Sequence, residues 1–196
     1  MRTESNSRTW RTVDIVVTAA IAVAFGVVFW AWNFVWATAG PMFAAVPPAQ
    51  NILYGVWLVP AVLAGLIIRK PGAALFTELV AASVSAILGS QWGLDAVISG
   101  ALQGLGAEIV FLIVGYRRWT IAVALIAAIG TAIAAWLHDT PLYYADIGLT
   151  AQLVILAFMV VSAIVIAGIG SWLLMRSLVQ TGVLAQFPAG RAQQRV

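Results

Sequence analysis

Six long runs of apolar residues, separated by short polar stretches, constrain the fold of this chain more than any other feature. The runs cover about 15–37, 50–68, 72–88, 94–114, 119–137 and 149–175. A helix needs about 20 apolar residues to cross the hydrocarbon core of a bilayer, and each run is close to that length. The sequence therefore predicts an all-α, polytopic membrane protein with six transmembrane helices.

The composition excludes most functions of soluble proteins. Hydrophobic residues make up 63% of the chain and charged residues 9%, whereas a soluble domain carries roughly 25% charged residues. The pI near 9.8 does not indicate nucleic-acid binding, because the few basic residues lie at the ends of apolar runs. The chain has no cysteine and a single histidine, His138, which excludes disulfides, thiolate metal sites and two-histidine metal sites.

All ten basic residues fall on one side of the predicted helices. They precede the first run, separate the second from the third and the fourth from the fifth, or follow the last: Arg2, Arg8, Arg11, Arg69, Lys70, Arg117, Arg118, Arg176, Arg191 and Arg195. Because basic loops stay in the cytoplasm, this pattern places both termini there. We expect a cytoplasmic segment 1–13, a six-helix membrane domain 14–178 and a cytoplasmic tail 179–196, in a multi-pass protein of the cell membrane.

Two acidic residues are predicted inside membrane spans, where a charged side chain is costly and often functional. Glu78 lies about seven residues from the cytoplasmic end of the third helix, and Glu108 about six from that of the fourth. At 1.5 Å per residue both lie about 10 Å inside the apolar layer, so the two carboxylates can approach each other. They are candidates for binding a cationic or amine-bearing ligand, or for sharing a proton. A structural hydrogen bond between helices is the alternative.

Other polar and aromatic residues complete the predicted ligand site. Asn51, Tyr54 and Trp57 recur at i, i+3 and i+6 near the outer end of the second helix, where an amide and two rings can clamp a flat heterocycle. An ordinary aromatic belt at the membrane interface is the alternative for the rings. Ser85 lies on the small-residue face of the third helix. Gln103 lies in the middle of the fourth helix and needs a partner there, either a ligand or another helix.

Small residues on the first helix indicate a surface where another helix can pack closely. Ala20 and Ala24 are four residues apart, as are Ala22 and Gly26. This spacing lets two helix backbones approach each other. In an alanine-rich span it also arises by chance, so the pattern alone does not identify an interface.

Three short stretches resemble a known family. They are Tyr54-Gly55-Val56-Trp57, then Arg69-Lys70-Pro71-Gly72-Ala73-Ala74-Leu75 with Glu78, and Gln103-Gly104-Leu105-Gly106-Ala107-Glu108 with Phe111. Together they resemble the YkoE family, the members of which are S components of energy-coupling factor (ECF) vitamin transporters. The resemblance spans about residues 10–185. One departure is Ser85, which stands where the family pattern can carry a second acidic residue after the Glu78 position.

The resemblance implies a six-helix S component that captures thiamine or its hydroxymethylpyrimidine precursor from outside and is not itself an enzyme. It also implies partners: a transmembrane T component, on which the small-residue face of the first helix docks, and two cytoplasmic ATPases of the ABC type. ATP and Mg²⁺ then belong to those partners, and we expect no cofactor in this chain. The aminopyrimidine and thiazolium rings are compatible with a buried carboxylate and aromatic faces.

Two other functions remain open at this point. A stand-alone secondary carrier would use Glu78 and Glu108 to move protons with a small cationic or amine-bearing solute, and a membrane scaffold would bind no ligand. The lack of a convincing internal repeat in the sequence weighs against a carrier built from inverted repeats. ATP dependence of uptake separates an S component from a carrier, and ligand copurification separates both from a scaffold.

Overall fold

The computed structural model describes residues 9–193, and every regular element in that range is a helix. The α-helices are α1 Thr12–Ala39, α2 Val59–Ile68, α3 Ala73–Ile87, α4 Asp95–Ile113, α5 Ile121–Tyr143, α6 Leu149–Ser162, α7 Ser171–Gln180 and α8 Pro188–Gln193. Two 3₁₀ stretches, Gly40–Phe43 and Pro47–Leu58, and one π-helical stretch, Ala163–Gly170, join or extend them. The predicted all-α fold is confirmed.

Within residues 9–193, five helical bodies are long and apolar enough to cross a membrane. They are Thr12–Phe43, Pro47–Ile68, Asp95–Ile113, Ile121–Tyr143 and Leu149–Gln180. The remaining predicted span, 72–88, corresponds to α3, which has 15 residues and is shorter than the roughly 20 that a perpendicular crossing needs. α3 is therefore shorter than the five helical bodies.

The body Pro47–Ile68 lies at the centre of the bundle. All ten residues of α2 are buried, and α1, α3, α4, α5 and α7 all pack against it. A helix that is apolar on every side is stable only when neighbours or lipid cover all of it. Here neighbouring helices provide that cover, so this body positions the others.

This central body is not the continuous α-helix that the sequence predicts for 50–68. Its first twelve residues, Pro47–Leu58, are 3₁₀-helical, and α2 begins only at Val59. Pro60 contributes to the break, because proline lacks an N–H and its ring clashes with the carbonyl four residues earlier. Proline is accepted in the first turn of a helix, which is its place in α2. We call Pro47–Leu58 the 3₁₀ segment.

Three helical bodies extend beyond their predicted ends, the first of them to Phe43 instead of residue 37. The sequence predicts a loop over 138–148, but α5 continues through Pro141 to Tyr143. The last body continues to Gln180 by way of the π-helical stretch. Beyond it, Leu184 and Phe187 are buried, so part of the predicted tail 179–196 packs against the bundle.

Glycines set the distance between α4 and α5. A Cβ atom on Gly106 would lie 2.4 Å from the carbonyl oxygen of Gly130, and one on Gly130 would lie 2.6 Å from the carbonyl oxygen of Gly106. No side chain fits in either place. The two backbones are therefore in direct contact, as small residues allow in membrane bundles.

A Cβ atom placed on Gly26 likewise corrects part of the interface predicted on the first helix. A Cβ atom on Gly26 would lie 2.5 Å from the Cβ atom of Val84, so Gly26 packs against α3 inside this chain. Ala20 and Ala24 are exposed. Of the three residues predicted to meet a partner, only these two are on the outer surface of the bundle.

Basic segments from three parts of the chain meet at one end of the bundle. Lys70 and Arg11 both bind the buried carboxylate of Asp14, Arg11 at 2.7 Å. The guanidinium of Arg69 lies 5.4 Å from the ring centre of Trp119, which follows the Arg117-Arg118 pair. The hydrogen bond to Asp14 raises the pKa of Arg11, and burial lowers the pKa of Arg69 to about 10, so both stay charged at neutral pH.

Glu108 holds the turn that joins α2 to α3. Its Oε1 accepts hydrogen bonds from the Gly72 N–H at 2.6 Å and from the Tyr116 hydroxyl at 2.5 Å. Its Oε2 accepts from the N–H groups of Ala74 at 3.0 Å and Leu75 at 3.3 Å. The first N–H groups of a helix lack partners within it, and an anion suits that positive end. A carboxylate of α4 thus caps α3, which has no capping side chain of its own.

We expect Glu108→Gln to destabilise the fold. Glutamine keeps the shape but turns one acceptor into an NH₂ donor that faces N–H and O–H donors, which should cost about 1–3 kcal/mol. Thermal unfolding in detergent should therefore show a midpoint several degrees below that of the parent. Asp146→Asn is the control, since Asp146 is exposed and should change the midpoint little. Equal midpoints for Glu108→Gln and the parent would contradict this assignment.

Candidate functional site

A cavity of about 560 Å³ lies in the half of the bundle away from the basic segments. The 3₁₀ segment, α1, α3, α4, α5 and α6 form its walls, together with the turns at 88–94 and 144–148. Six helical elements therefore contribute residues to one cavity. Volumes of roughly 300–1,000 Å³ are typical of small-molecule sites.

The cavity brings together six of the seven residues that the sequence predicts to bind a ligand. They are Asn51, Tyr54, Trp57, Glu78, Ser85 and Gln103. The seventh, Glu108, lies at the basic end of the bundle, where four donors of this chain occupy its two oxygens. The two glutamates, which the sequence places at one depth, therefore do not meet in one site.

The 3₁₀ geometry aligns three of these residues. In an α-helix, each step of three residues falls about 60° short of a full turn, so residues i and i+6 diverge by about 120°. In a 3₁₀-helix, side chains three residues apart eclipse one another. Asn51, Tyr54 and Trp57 are spaced in this way, and all three face the cavity.

Glu78 is fully buried, and its two oxygens differ in their surroundings. Oε2 accepts a hydrogen bond of 2.9 Å from the N–H of Ala61, in the first turn of α2. Oε1 has no hydrogen-bond partner within the described residues 9–193, and Glu78 lines the cavity. An acceptor that is buried without a donor is costly, so this oxygen is suited to a donor from a ligand.

Aromatic rings cover one side of the cavity. The rings of Trp36 and Trp57 are 5.2 Å apart, and those of Tyr54 and Trp57 are 5.4 Å apart and nearly perpendicular. Trp92 and Tyr143 form a second edge-to-face pair at 5.4 Å. Such faces attract flat and cationic groups.

Sequence reasoning missed a polar network that adjoins these rings. Asp139 accepts a hydrogen bond of 2.6 Å from the Tyr54 hydroxyl and lies 2.9 Å from Nδ1 of His138. Nε2 of the same imidazole lies 3.3 Å from Asp95, so His138 stands between two carboxylates. Gln103 donates to Tyr54 at 3.3 Å and extends the network into α4.

Asp139 was missed because Pro141 suggested a loop. Within a helix that continues to Tyr143, Asp139 is one turn beyond the buried Ala135 and belongs to the same inward face. Asn33 was missed as well. It is a buried amide of α1 that donates to Ser90 at 3.0 Å, while its Oδ1 has no partner in the described part of the chain. An amide in the middle of an apolar run was the available signal.

The cavity lining is acidic in composition. Glu78, Asp95 and Asp139 contribute carboxyl groups, and the described residues that line it include no lysine or arginine. Burial, followed by the charge of Asp139, raises the pKa of Tyr144 to about 12, so this loop hydroxyl stays protonated. With carboxylates, amides and aromatic faces around it, the cavity is suited to a flat cation or an amine.

Three comparisons with known proteins agree with this description. Residues 13–134 match a family model described as "ABC-type cobalt transport system, permease component". No group of three or more His, Cys, Asp or Glu side chains within residues 9–193 is placed to hold a metal ion.

Two relatives match nearly the whole chain. A Bacillus subtilis (strain 168) protein described as an HMP/thiamine permease, YkoE, is 32% identical over 185 residues, which cover 94% of this chain and 92% of that protein. A solved structure described as an S-component of an ECF transporter superposes with a TM-score of 0.91 at 32% identity, over 95% of this chain and 94% of the other. The chain therefore belongs to the YkoE family of ECF-transporter S components, the substrate-binding membrane subunits of these importers.

Proposed function

We propose that this S component captures thiamine or its hydroxymethylpyrimidine precursor from outside the cell. The observation that carries the proposal is the Glu78 carboxylate, of which one oxygen is buried at the cavity without a partner in residues 9–193. The YkoE relative, the name of which gives HMP and thiamine as its substrates, supports the same ligand class.

The chemistry of these ligands fits the lining. An aminopyrimidine presents an exocyclic amine, which can donate to Oε1 of Glu78. A thiazolium carries a positive charge, which Asp139, Asp95 and the aromatic faces attract. The amine donor and the cation therefore each have candidate partners in the cavity.

We expect Glu78→Gln to weaken thiamine binding by about ten- to a hundredfold. A charge-assisted hydrogen bond contributes about 1.5–3 kcal/mol, and glutamine keeps the shape while it removes the charge. Calorimetric titration of the detergent-extracted protein measures the effect. Glu108→Gln is the matched control, because that glutamate lies outside the cavity and should change thermal stability but not affinity.

If the two substitutions affect affinity equally, Glu78 is not a specific ligand contact. If the parent protein binds neither thiamine nor hydroxymethylpyrimidine, the proposed ligand class is wrong. Mass spectrometry of the ligand that copurifies with the protein would then identify its replacement.

We further propose that the chain crosses the membrane six times, with both termini in the cytoplasm. The clustering of Arg11, Arg69 and Lys70 at one end supports this orientation, because basic segments stay in the cytoplasm. The cavity then faces outward. α3 completes the count, because local thinning of the bilayer can accommodate a short apolar helix.

Cysteine labelling checks this topology, because the chain has no cysteine of its own. Ala45→Cys and Ala145→Cys place thiols on exposed loops near the cavity. Both should react with a membrane-impermeant maleimide in intact cells. Thr181→Cys, exposed near the basic end, should react only after the membrane is permeabilised. Labelling of Thr181→Cys alone in intact cells would reverse the orientation.

We also propose that the exposed Ala20–Ala24 face of α1 docks on a T component, which works with two cytoplasmic ABC-type ATPases. Small residues on an exposed helix face allow another helix to approach closely. Uptake should then need ATP hydrolysis by those partners. Uptake driven by a proton gradient without them would favour the stand-alone carrier.

Ala24→Trp should abolish copurification with the T component and leave thiamine affinity within about twofold of the parent. The indole would hold the two helices apart, whereas the cavity is lined by other residues of α1. Pull-down and calorimetric titration measure the two effects. Ala157→Trp, at an exposed alanine of α6, is the matched control for bulk alone. Retained assembly with Ala24→Trp would contradict the proposed surface.

A further inference from the structure

A hydroxyl from α6 bridges two backbone groups of the 3₁₀ segment. Ser162 donates to the carbonyl oxygen of Ile52 at 2.5 Å and accepts from the N–H of Gly55 at 2.8 Å. Residues three apart are the pair that a 3₁₀ turn joins. The hydroxyl of Ser162 therefore links the two ends of the turn that carries Tyr54. This turn lies between Asn51 and Trp57 in the sequence.

The approach of α6 to this turn is too close for any side chain on Gly55. A Cβ atom there would lie 2.5 Å from the carbonyl oxygen of Ser162 and 2.7 Å from its hydroxyl. Ser162 itself is buried and does not line the cavity. Its contacts are thus with the backbone behind the site.

The π-helical stretch that follows Ser162 keeps the last body in register with the central one. Ser171, nine residues later, also faces that body and lies 3.3 Å from the carbonyl oxygen of Val59. In a regular α-helix, nine residues turn through about 900°, which puts the two serines on opposite faces. Because turns of the π-helix hold more residues, both serines can face the same neighbour.

A 3₁₀ run of twelve residues needs such support. Runs longer than three or four residues are uncommon, because their hydrogen bonds are poorly aligned and their side chains eclipse. If the segment relaxed to an α-helix, Asn51 and Trp57 would diverge by about 120° and no longer share one face.

We propose that Ser162 is a positioning residue of the ligand site, which acts through the 3₁₀ segment without touching the ligand. Its hydroxyl fixes the turn that presents Asn51, Tyr54 and Trp57 to the cavity. The affinity part of this inference rests on the proposed binding of thiamine. The structural part concerns the apo protein and can be tested without any ligand.

The first measurement is hydrogen–deuterium exchange of peptides covering 47–58 in the ligand-free protein. Ser162→Ala removes both bridging bonds, so exchange in this segment should rise well above that of the parent. Ser171→Ala is the matched control, because it removes a buried hydroxyl from the same helical body. The backbone partner of that hydroxyl, the carbonyl of Val59, lies just beyond the 3₁₀ segment. Unchanged exchange in Ser162→Ala, or an equal rise in both variants, would overturn the proposal.

The second measurement is thiamine affinity in a double-mutant cycle. Ser162→Ala should weaken binding by about tenfold and Ser171→Ala by less than about twofold. In a Trp57→Leu background the effect of Ser162→Ala should shrink to less than about twofold, because Ser162 acts through the segment that carries Trp57.

A full tenfold effect that persists in the Trp57→Leu background would show general loosening of the bundle and overturn the positioning role. If the parent does not bind thiamine, the proposed function fails, and the exchange of 47–58 alone decides the role of Ser162. The two failures are therefore distinguishable.

Discussion

A backbone that leaves the α-helical path inside an apolar bundle must find hydrogen-bond partners outside its own helix. The central body of this protein does so between Ile52 and Ala61, where 3₁₀ turns give way to α2. Glu78 reaches the Ala61 N–H from α3, and Ser162 bridges Ile52 and Gly55 from α6. The shape of the ligand cavity depends on these contacts, since the irregular segment forms one of its walls.

The cavity follows from that break in a simple geometric way. A uniform α-helix through 47–68 would turn Asn51, Tyr54 and Trp57 over about 120° of its surface. The 3₁₀ turns stack them on one side of the segment, where they line the cavity together with the carboxyl groups of α3, α4 and α5. Aromatic faces and carboxyl groups thereby share one cavity, an arrangement that suits a flat cation.

The sequence predicts which residues form the helices and the cavity better than it predicts their geometry. The apolar runs predict the helical bodies. The i, i+3, i+6 spacing selects three residues that line the cavity, although the sequence predicts an α-helix there. Propensity and periodicity do not reveal that neighbouring helices hold 47–58 in 3₁₀ turns. Asp139 is not predicted as a site residue for a related reason. Pro141 is tolerated near the end of α5, where local sequence signals indicate a loop.

Glu78 and Glu108 show where sequence reasoning reaches its limit. Both are acids at similar depth in neighbouring apolar helices, and both accept hydrogen bonds from the first turn of another helix. What distinguishes them is how many donors each one meets. Glu108 meets four donors from its own chain, so its hydrogen-bonding capacity is used by the fold.

Glu78 meets one donor, at Oε2, while its Oε1 is buried without a partner in residues 9–193, in a side chain that lines the cavity. A buried acceptor in this state raises the free energy of the ligand-free protein, and a ligand that supplies a donor removes that cost on binding. Because the same carboxylate also accepts the first-turn N–H of α2, the oxygen is held in place before the ligand arrives. Preorganisation of this kind reduces the entropy lost on binding. We therefore expect selectivity for an amine-bearing ligand to arise from the change from 3₁₀ turns to α-helix at the start of α2.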